Sequence, residues 1–555
     1  MQRVTQFGCL IRLGLLVVFF VMLNSGASAD TYQRQPGVDA VHYVFQLKLS
    51  DDSREIDGET VFTFRSTVDG LDHLFLDLGS SVGTRGMYVS TVTENGERLE
   101  YKHEDDRVAI KLSKPMAAGE ERKLSVQYRG VPRSGLRLTQ NMYSEWCAFS
   151  ENWPNRAHQW LATIDHPSDK ATGEFIVTAP ARYQVIANGL LINETDLPND
   201  LRQTHWKQSV PIPVWLYALG VCRFSVIHYG TADGGNGRQI PLEGWVYPQN
   251  RESGHKNFDE PGRSAIEFFT QQVGPYAYEK LAHVQAAGIG GATEHATAVF
   301  YGEQGVLREN RGVVVHETAH HWFGNSVTES DWDDVWLSEG FATYFTNLYF
   351  EHRDGREGFV ERMKRDRTRV IGAERRSPDT PIVHRNISDM SRVLNTFVYQ
   401  KGGWFLHMLR GQIGDEAFWK GIRAYYAKYR DKNASTADFM VEMEQASGQK
   451  LDWLFAQWLT RSGLPRLAGE WGYDPAAKQV RVTLKQTQEA DPFRLPLEIA
   501  IKGPDGNTSI QKVELTAREG EFKLAAESAP ADVLLDPNVW VLMADPEFTK
   551  QAAPQ

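Results

Sequence analysis

The chain reads His316-Glu317-Thr318-Ala319-His320 and then, with eighteen residues between His320 and Glu339, Trp336-Leu337-Ser338-Glu339-Gly340-Phe341-Ala342. On a helix, side chains four residues apart share a face, so the imidazoles of His316 and His320 can reach one metal ion. Glu317 stands beside them, where it can hold a metal-bound water. Glu339 opens an apolar helix, where a carboxylate is costly unless solvated, paired or metal-bound. A plain helix-start charge favoured by the dipole is the alternative. Two His and one Glu leave a fourth position open, which is the catalytic rather than the structural zinc arrangement. A closed structural site would typically use Cys, and the chain has only 3.

Outward from this stretch, residues 227–464 carry helical periodicity at 264–272, 313–323, 335–350 and 402–412. Ser435-Thr436-Ala437-Asp438 opens a further helix in the manner of a capping box. Upstream the pattern is β-rich. Tyr43, Phe45, Leu47 and Leu49 alternate with His42, Val44, Gln46 and Lys48, and runs at 61–64 and 124–128 read the same way. Downstream, Pro465 after Arg461-Ser462-Gly463 marks a boundary. Val480, Val482 and Leu484, then Leu497, Ile499 and Ile501, restore the period of two and suit a small β-sandwich. The expectation is a multidomain α+β chain: 30–226 a β-sheet domain, 227–464 a mostly helical catalytic domain, 465–555 a β-sandwich.

At 555 residues, 41% apolar and 24% charged, the chain is globular in composition, which excludes fibrous and disordered classes. A net charge of −11 gives no global electrostatic footprint for nucleic acid. No apolar run suggests a membrane span in the mature chain.

Residues 1–29 read as a secretory signal. Arg3 and Arg12 precede the apolar run 13–23, and Asn24-Ser25-Gly26-Ala27-Ser28-Ala29 ends in an A-x-A pattern. Cleavage near Ala29 implies export to periplasm or medium, and an uncleaved anchor is the alternative. Loss of the leader takes the charge from −11 to −13 and removes Cys9. Cys147 and Cys222 remain and could pair in an oxidising compartment; sequence leaves that open.

The motif pair resembles the gluzincin zinc peptidases of the aminopeptidase N family, the group that includes the leukotriene hydrolases. Trp160, Asp165-His166-Pro167 and Lys170-Ala171-Thr172 are similar to its D-x-P-x-x-K-A-T segment. Gly291-Ala292-Thr293-Glu294-His295 stands where the family has G-A-M-E-N, and Tyr399-Gln400-Lys401-Gly402 resembles its Y-x-K-G segment.

The resemblance implies a thermolysin-like catalytic domain and one Zn2+ per chain, held by His316, His320 and Glu339. It implies a zinc-activated water that attacks the N-terminal peptide bond of peptides bearing a free N-terminus. Glu317 would move the proton, and Tyr399 would steady the oxyanion. Glu294 would hold the substrate's α-amino group, with Gly291 and Ala292 beside the peptide backbone. Glu151 is the candidate for a second group on that amine. Thr293 and His295 depart from the family's Met and Asn, so substrate preference does not transfer. The rival readings are a zinc endopeptidase, epoxide hydrolysis as some relatives add, and an inactive exported peptide-binding module.

Overall fold

The computed structural model describes residues 31–551 apart from 33. The leader and Cys9 lie outside the described residues.

The first half is built on an eight-stranded sheet. In spatial order its strands are Leu190–Leu197, Leu201–Ile212, Ala171–Pro180, Val38–Lys48, Ile56–Ser66, Glu121–Val131, Gly86–Glu94 and Glu97–Arg98. Val38–Lys48 runs parallel to Ala171–Pro180 and antiparallel to Ile56–Ser66. The alternation read at 43–49 is the burial pattern: Tyr43, Phe45, Leu47 and Leu49 are all buried. Tyr43 and Phe45 meet Phe62, Phe175 and Tyr217 in an aromatic core. A four-stranded sheet, Gln184–Ala187, Leu219–Cys222, Trp146–Ser150 and Leu136–Gln140, lies beside it. There Cys147 and Cys222, on neighbouring antiparallel strands, form a disulfide.

The middle of the chain departs from the sequence reading. It opens with strands that the reading missed, Ser225–Asp233 and Gln239–Val246. With Leu281–Ala286, Ala298–Gly302 and Ala292–Thr293 these make a five-stranded sheet. Leu281–Ala286 is buried at every position. A strand covered on both faces loses the period of two by which strands are recognised. The helices are longer than their periodicity showed. Arg251–Gln272 begins thirteen residues before 264, in a polar stretch that contains Pro261. Trp336–Arg376 continues past a break at Gly355, whose φ of 85° only glycine adopts without strain. Ser435 and Asp438 form the reciprocal capping box expected of them.

Beyond Pro465 the chain forms two small sheets, of four and three strands. Val480, Val482, Leu484, Leu497, Ile499 and Ile501 point into the core.

Phe341, fully buried one turn into Trp336–Arg376, touches the rings of Phe323, Phe345, Trp336, Tyr425 and Phe439. It joins the end of the motif helix to three other segments. Phe341→Ala is expected to cost about 3–5 kcal/mol through the cavity it leaves, measured by urea denaturation.

Candidate metal centre and substrate cleft

The helix Arg311–His320 buries Val314, Val315, Glu317, Thr318, Ala319 and His320. Four residues past its end Gly324 turns the chain at φ 108°. A Cβ there would lie 2.2 Å from Ser338 Oγ, so the turn admits only glycine. The helix Trp336–Arg376 then brings Glu339 back over His316 and His320. Across it lies Phe397–Lys401, a turn of π-helix, the kind of local irregularity frequent at functional sites. Gly340 and Gly402 let the two backbones touch. A Cβ on Gly402 would stand 3.1 Å from Gly340 Cα. That close approach places Tyr399 on Glu339.

Three lone-pair atoms face one point. His316 Nε2 and His320 Nε2 are 3.2 Å apart. Glu339 Oε2 lies 3.4 Å from the first and 3.3 Å from the second. This oxygen is buried and makes no hydrogen bond. The other oxygen, Oε1, accepts a 2.7 Å bond from the Tyr399 hydroxyl. The rear nitrogen of His320, Nδ1, is 3.1 Å from Ser338 Oγ and 3.2 Å from the Phe323 carbonyl. Donation of the Nδ1 proton to these acceptors behind the ring fixes its tautomer and leaves Nε2 free to ligate.

A second cluster shares His320. Glu294, Glu317 and His320 each offer an atom within 4.8 Å of the others. Both carboxylates are almost wholly buried. Burial and then the neighbouring Glu294 push the Glu317 carboxyl well above its ordinary range, and burial likewise raises Glu294. Glu339 goes the other way: against its burial, His320 and His316 hold it down. Three enclosed carboxylates facing two imidazoles leave the pocket short of positive charge. A divalent cation bound by two nitrogens and one oxygen remedies this, with a fourth position open. The donor set fits zinc.

Gly291 and Ala292 line a cavity of about 340 Å³ together with Ile289, Tyr301, Val313, Val314 and Glu317. The structure therefore sets both of them on a cavity shared with Glu317, and Glu294 beside Glu317 and His320. The Glu151 carboxylate is engaged by Arg156 and, at 3.2 Å, by Arg137. The arginine Arg137 in turn lies against Gly288, three residues before Gly291. His295 is enclosed against Phe300, 4.8 Å between ring centres. Burial pushes its imidazole down to about 3, so it stays neutral.

Three residues escaped the sequence reading. Ser338 lies behind His320. Asn325 donates a 2.7 Å bond to the Glu294 carbonyl. Glu329 is fully buried with neither carboxylate oxygen partnered, and burial pushes it up to about 8. Only Asn325 left a signal, the Gly-Asn turn pair after the motif helix.

Comparison with known proteins agrees with this architecture. The profile "Peptidase M1 N-terminal domain" matches residues 39–216, and "Peptidase family M1 domain" matches 261–458. Glutamyl aminopeptidase of Rattus norvegicus is 26% identical over 450 residues, 76% of this chain and 47% of the relative. Leucyl aminopeptidase of Saccharolobus solfataricus is 24% identical over 75% of this chain and 54% of its own length. The chain thus spans about half the length of these relatives. Among solved structures, the M1 zinc metallopeptidase from Deinococcus radiodurans aligns with TM-score 0.67 at 24% identity, covering 78% of this chain and 95% of that one. Legionella pneumophila aminopeptidase A, solved in complex with aspartic acid, aligns with TM-score 0.77 at 19% identity over 94% of this chain and 61% of its own. These structural likenesses establish the fold. The two profiles fall in the family's order on the sheet domain and on the metal centre, and the chain belongs to peptidase family M1, the family of aminopeptidase N.

Proposed function

We propose that this protein is an exported zinc-dependent aminopeptidase that removes the N-terminal residue of peptides. The observation that carries the reading is the buried Glu294 carboxylate, held within reach of both Glu317 and His320. A site that cuts internal bonds has no use for a buried anion at this distance. A site that recognises a chain end needs one, because the free ammonium is the only cation every substrate brings.

His316, His320 and Glu339 would hold the zinc, which supplies a Lewis acid that polarises the scissile carbonyl and acidifies water. Glu294 receives the substrate ammonium by charge-assisted hydrogen bonding and so fixes which peptide bond reaches the metal. Glu317 takes the proton of the attacking water and delivers it to the leaving amine. Tyr399 turns its hydroxyl from Glu339 to the oxygen on which negative charge develops. The intact proton-transfer, ligand and anchor residues disfavour an inactive binding module.

Two features support export. The leader pattern at 1–29 is that of a cleaved signal. A disulfide between Cys147 and Cys222 suits an oxidising compartment. Among the described residues no helix is long and apolar enough to cross a membrane.

N-acetylation of a peptide is expected to abolish its cleavage, while the free peptide is shortened stepwise from its N-terminus. Glu294→Ala is expected to lower kcat/KM on free amines by about 10- to 100-fold, the worth of a charged hydrogen bond. Mass spectrometry of the products reads both. Efficient internal cleavage of the acetylated peptide would overturn the reading in favour of an endopeptidase.

A further inference from the structure

The anchor Glu294 and the ligand His320 lie on different elements, twenty-six residues apart in sequence. An exopeptidase needs the spacing between them held constant, because that spacing decides which bond is cut. One residue bonds to both. Asn325 donates its backbone N–H to the His320 carbonyl at 3.0 Å and its side-chain amide to the Glu294 carbonyl at 2.7 Å. It is fully buried.

Asn325 is itself held from the other domain. The Lys170 ammonium donates to the Asn325 carbonyl at 3.0 Å and to the Ser326 carbonyl at 2.8 Å. A third bond, 3.3 Å to the Lys432 carbonyl, ties in the neighbouring strand. Thr328 Oγ1 donates to the same Asn325 carbonyl at 2.8 Å. The far end of the Glu294 loop has its own support: Asn188, from the N-terminal half, donates to the Ala296 carbonyl at 2.5 Å. Removing the Asn325 amide therefore frees Glu294 to shift without releasing the whole loop.

We infer that Asn325 is a positioning residue that fixes the amine anchor relative to the metal ligand His320, and that Lys170 locks it in place from the sheet domain. This rests on the reading of Glu294 as the ammonium site. The N-terminal half then takes part in choosing the bond that is cut, although it contributes no metal ligand.

The test uses the full zinc-loaded chain with alanyl-p-nitroanilide. Asn325→Ala is expected to raise KM about 10-fold, since displacements of an ångström at a reacting centre reach 100-fold. Its kcat should fall less than KM rises, with zinc still one per chain. Lys170→Met, which keeps the buried stem and loses the three bonds, should shift KM in the same direction by a smaller factor. Each change is then repeated in Glu294→Gln. A residue acting through Glu294 adds less than about twofold there, as expected of coupled sites. Undiminished effects in the Glu294→Gln background, or unchanged KM in both single variants, would overturn the positioning role. If Glu294→Gln alone leaves KM unchanged, the ammonium reading fails first, and this inference falls with it.

Discussion

Glu317→Gln is expected to keep its zinc and lose about 100- to 10,000-fold in kcat, the range attributed to a positioned general base and acid. The reasoning starts from placement. Glu317 follows the ligand His316 directly, yet it belongs to the other cluster, with Glu294 and His320. It can face a reacting water without competing for the metal. Its burial, and the carboxylate of Glu294 close by, raise its affinity for a proton. A carboxyl that holds its proton more tightly than usual suits a group that must first take a proton and then give it back. Glutamine keeps the shape and the burial and cannot carry the proton. Metal analysis beside steady-state kinetics reads the result. Turnover within tenfold of the native protein at full zinc occupancy would remove Glu317 from the chemistry. Turnover lost together with zinc would make it a support of the metal centre.

Tyr399→Phe is expected to fold, bind zinc and turn over about 100- to 1000-fold more slowly, with KM little changed. The phenol is a donor at any physiological pH, because burial and the nearby Glu339 push its ionisation far above the usual value. Its ring lies nearly parallel to that of His316, 6.1 Å between centres, so phenylalanine preserves the packing. The hydroxyl bonds to Glu339, a ligand, and zinc content is therefore the control that matters. An effect confined to kcat, with zinc retained, assigns the hydroxyl to the transition state. Loss of zinc in proportion to activity would assign it to holding Glu339.

Much of the centre was legible before any coordinates. His316 and His320 are neighbours by helix geometry alone, and Glu339 could be matched to them because its own helix begins in a recognisable segment. The alternations at 43–49, 480–484 and 497–501 were legible because each strand has one buried face. The strand Leu281–Ala286 has two, and the front of Arg251–Gln272 is polar, so neither announced itself. Cys147 and Cys222 could be named but not paired, because pairing depends on which strands become neighbours.

By itself, then, the sequence named the candidate metal ligands, the candidate proton carrier, the amine-anchor candidate and the succession of sheet, helical and sheet regions. The ligand spacing and the strand and helix periods are written in residue types at short or regular spacing, where local geometry links position to neighbourhood; the anchor was implied by the family resemblance. Only the tertiary structure decided where distant segments meet. It put Tyr399 on Glu339 through the contact of Gly340 with Gly402, and gave the carboxylate of Glu151 to Arg156 and Arg137. It made Asn325 the link between His320 and Glu294, fixed in turn by Lys170. The decisive contacts among these join residues far apart in sequence, Tyr399 to Glu339 by 60 positions and Lys170 to Asn325 by 155. They are set by how sheets and helices pack around one core, which no local periodicity records.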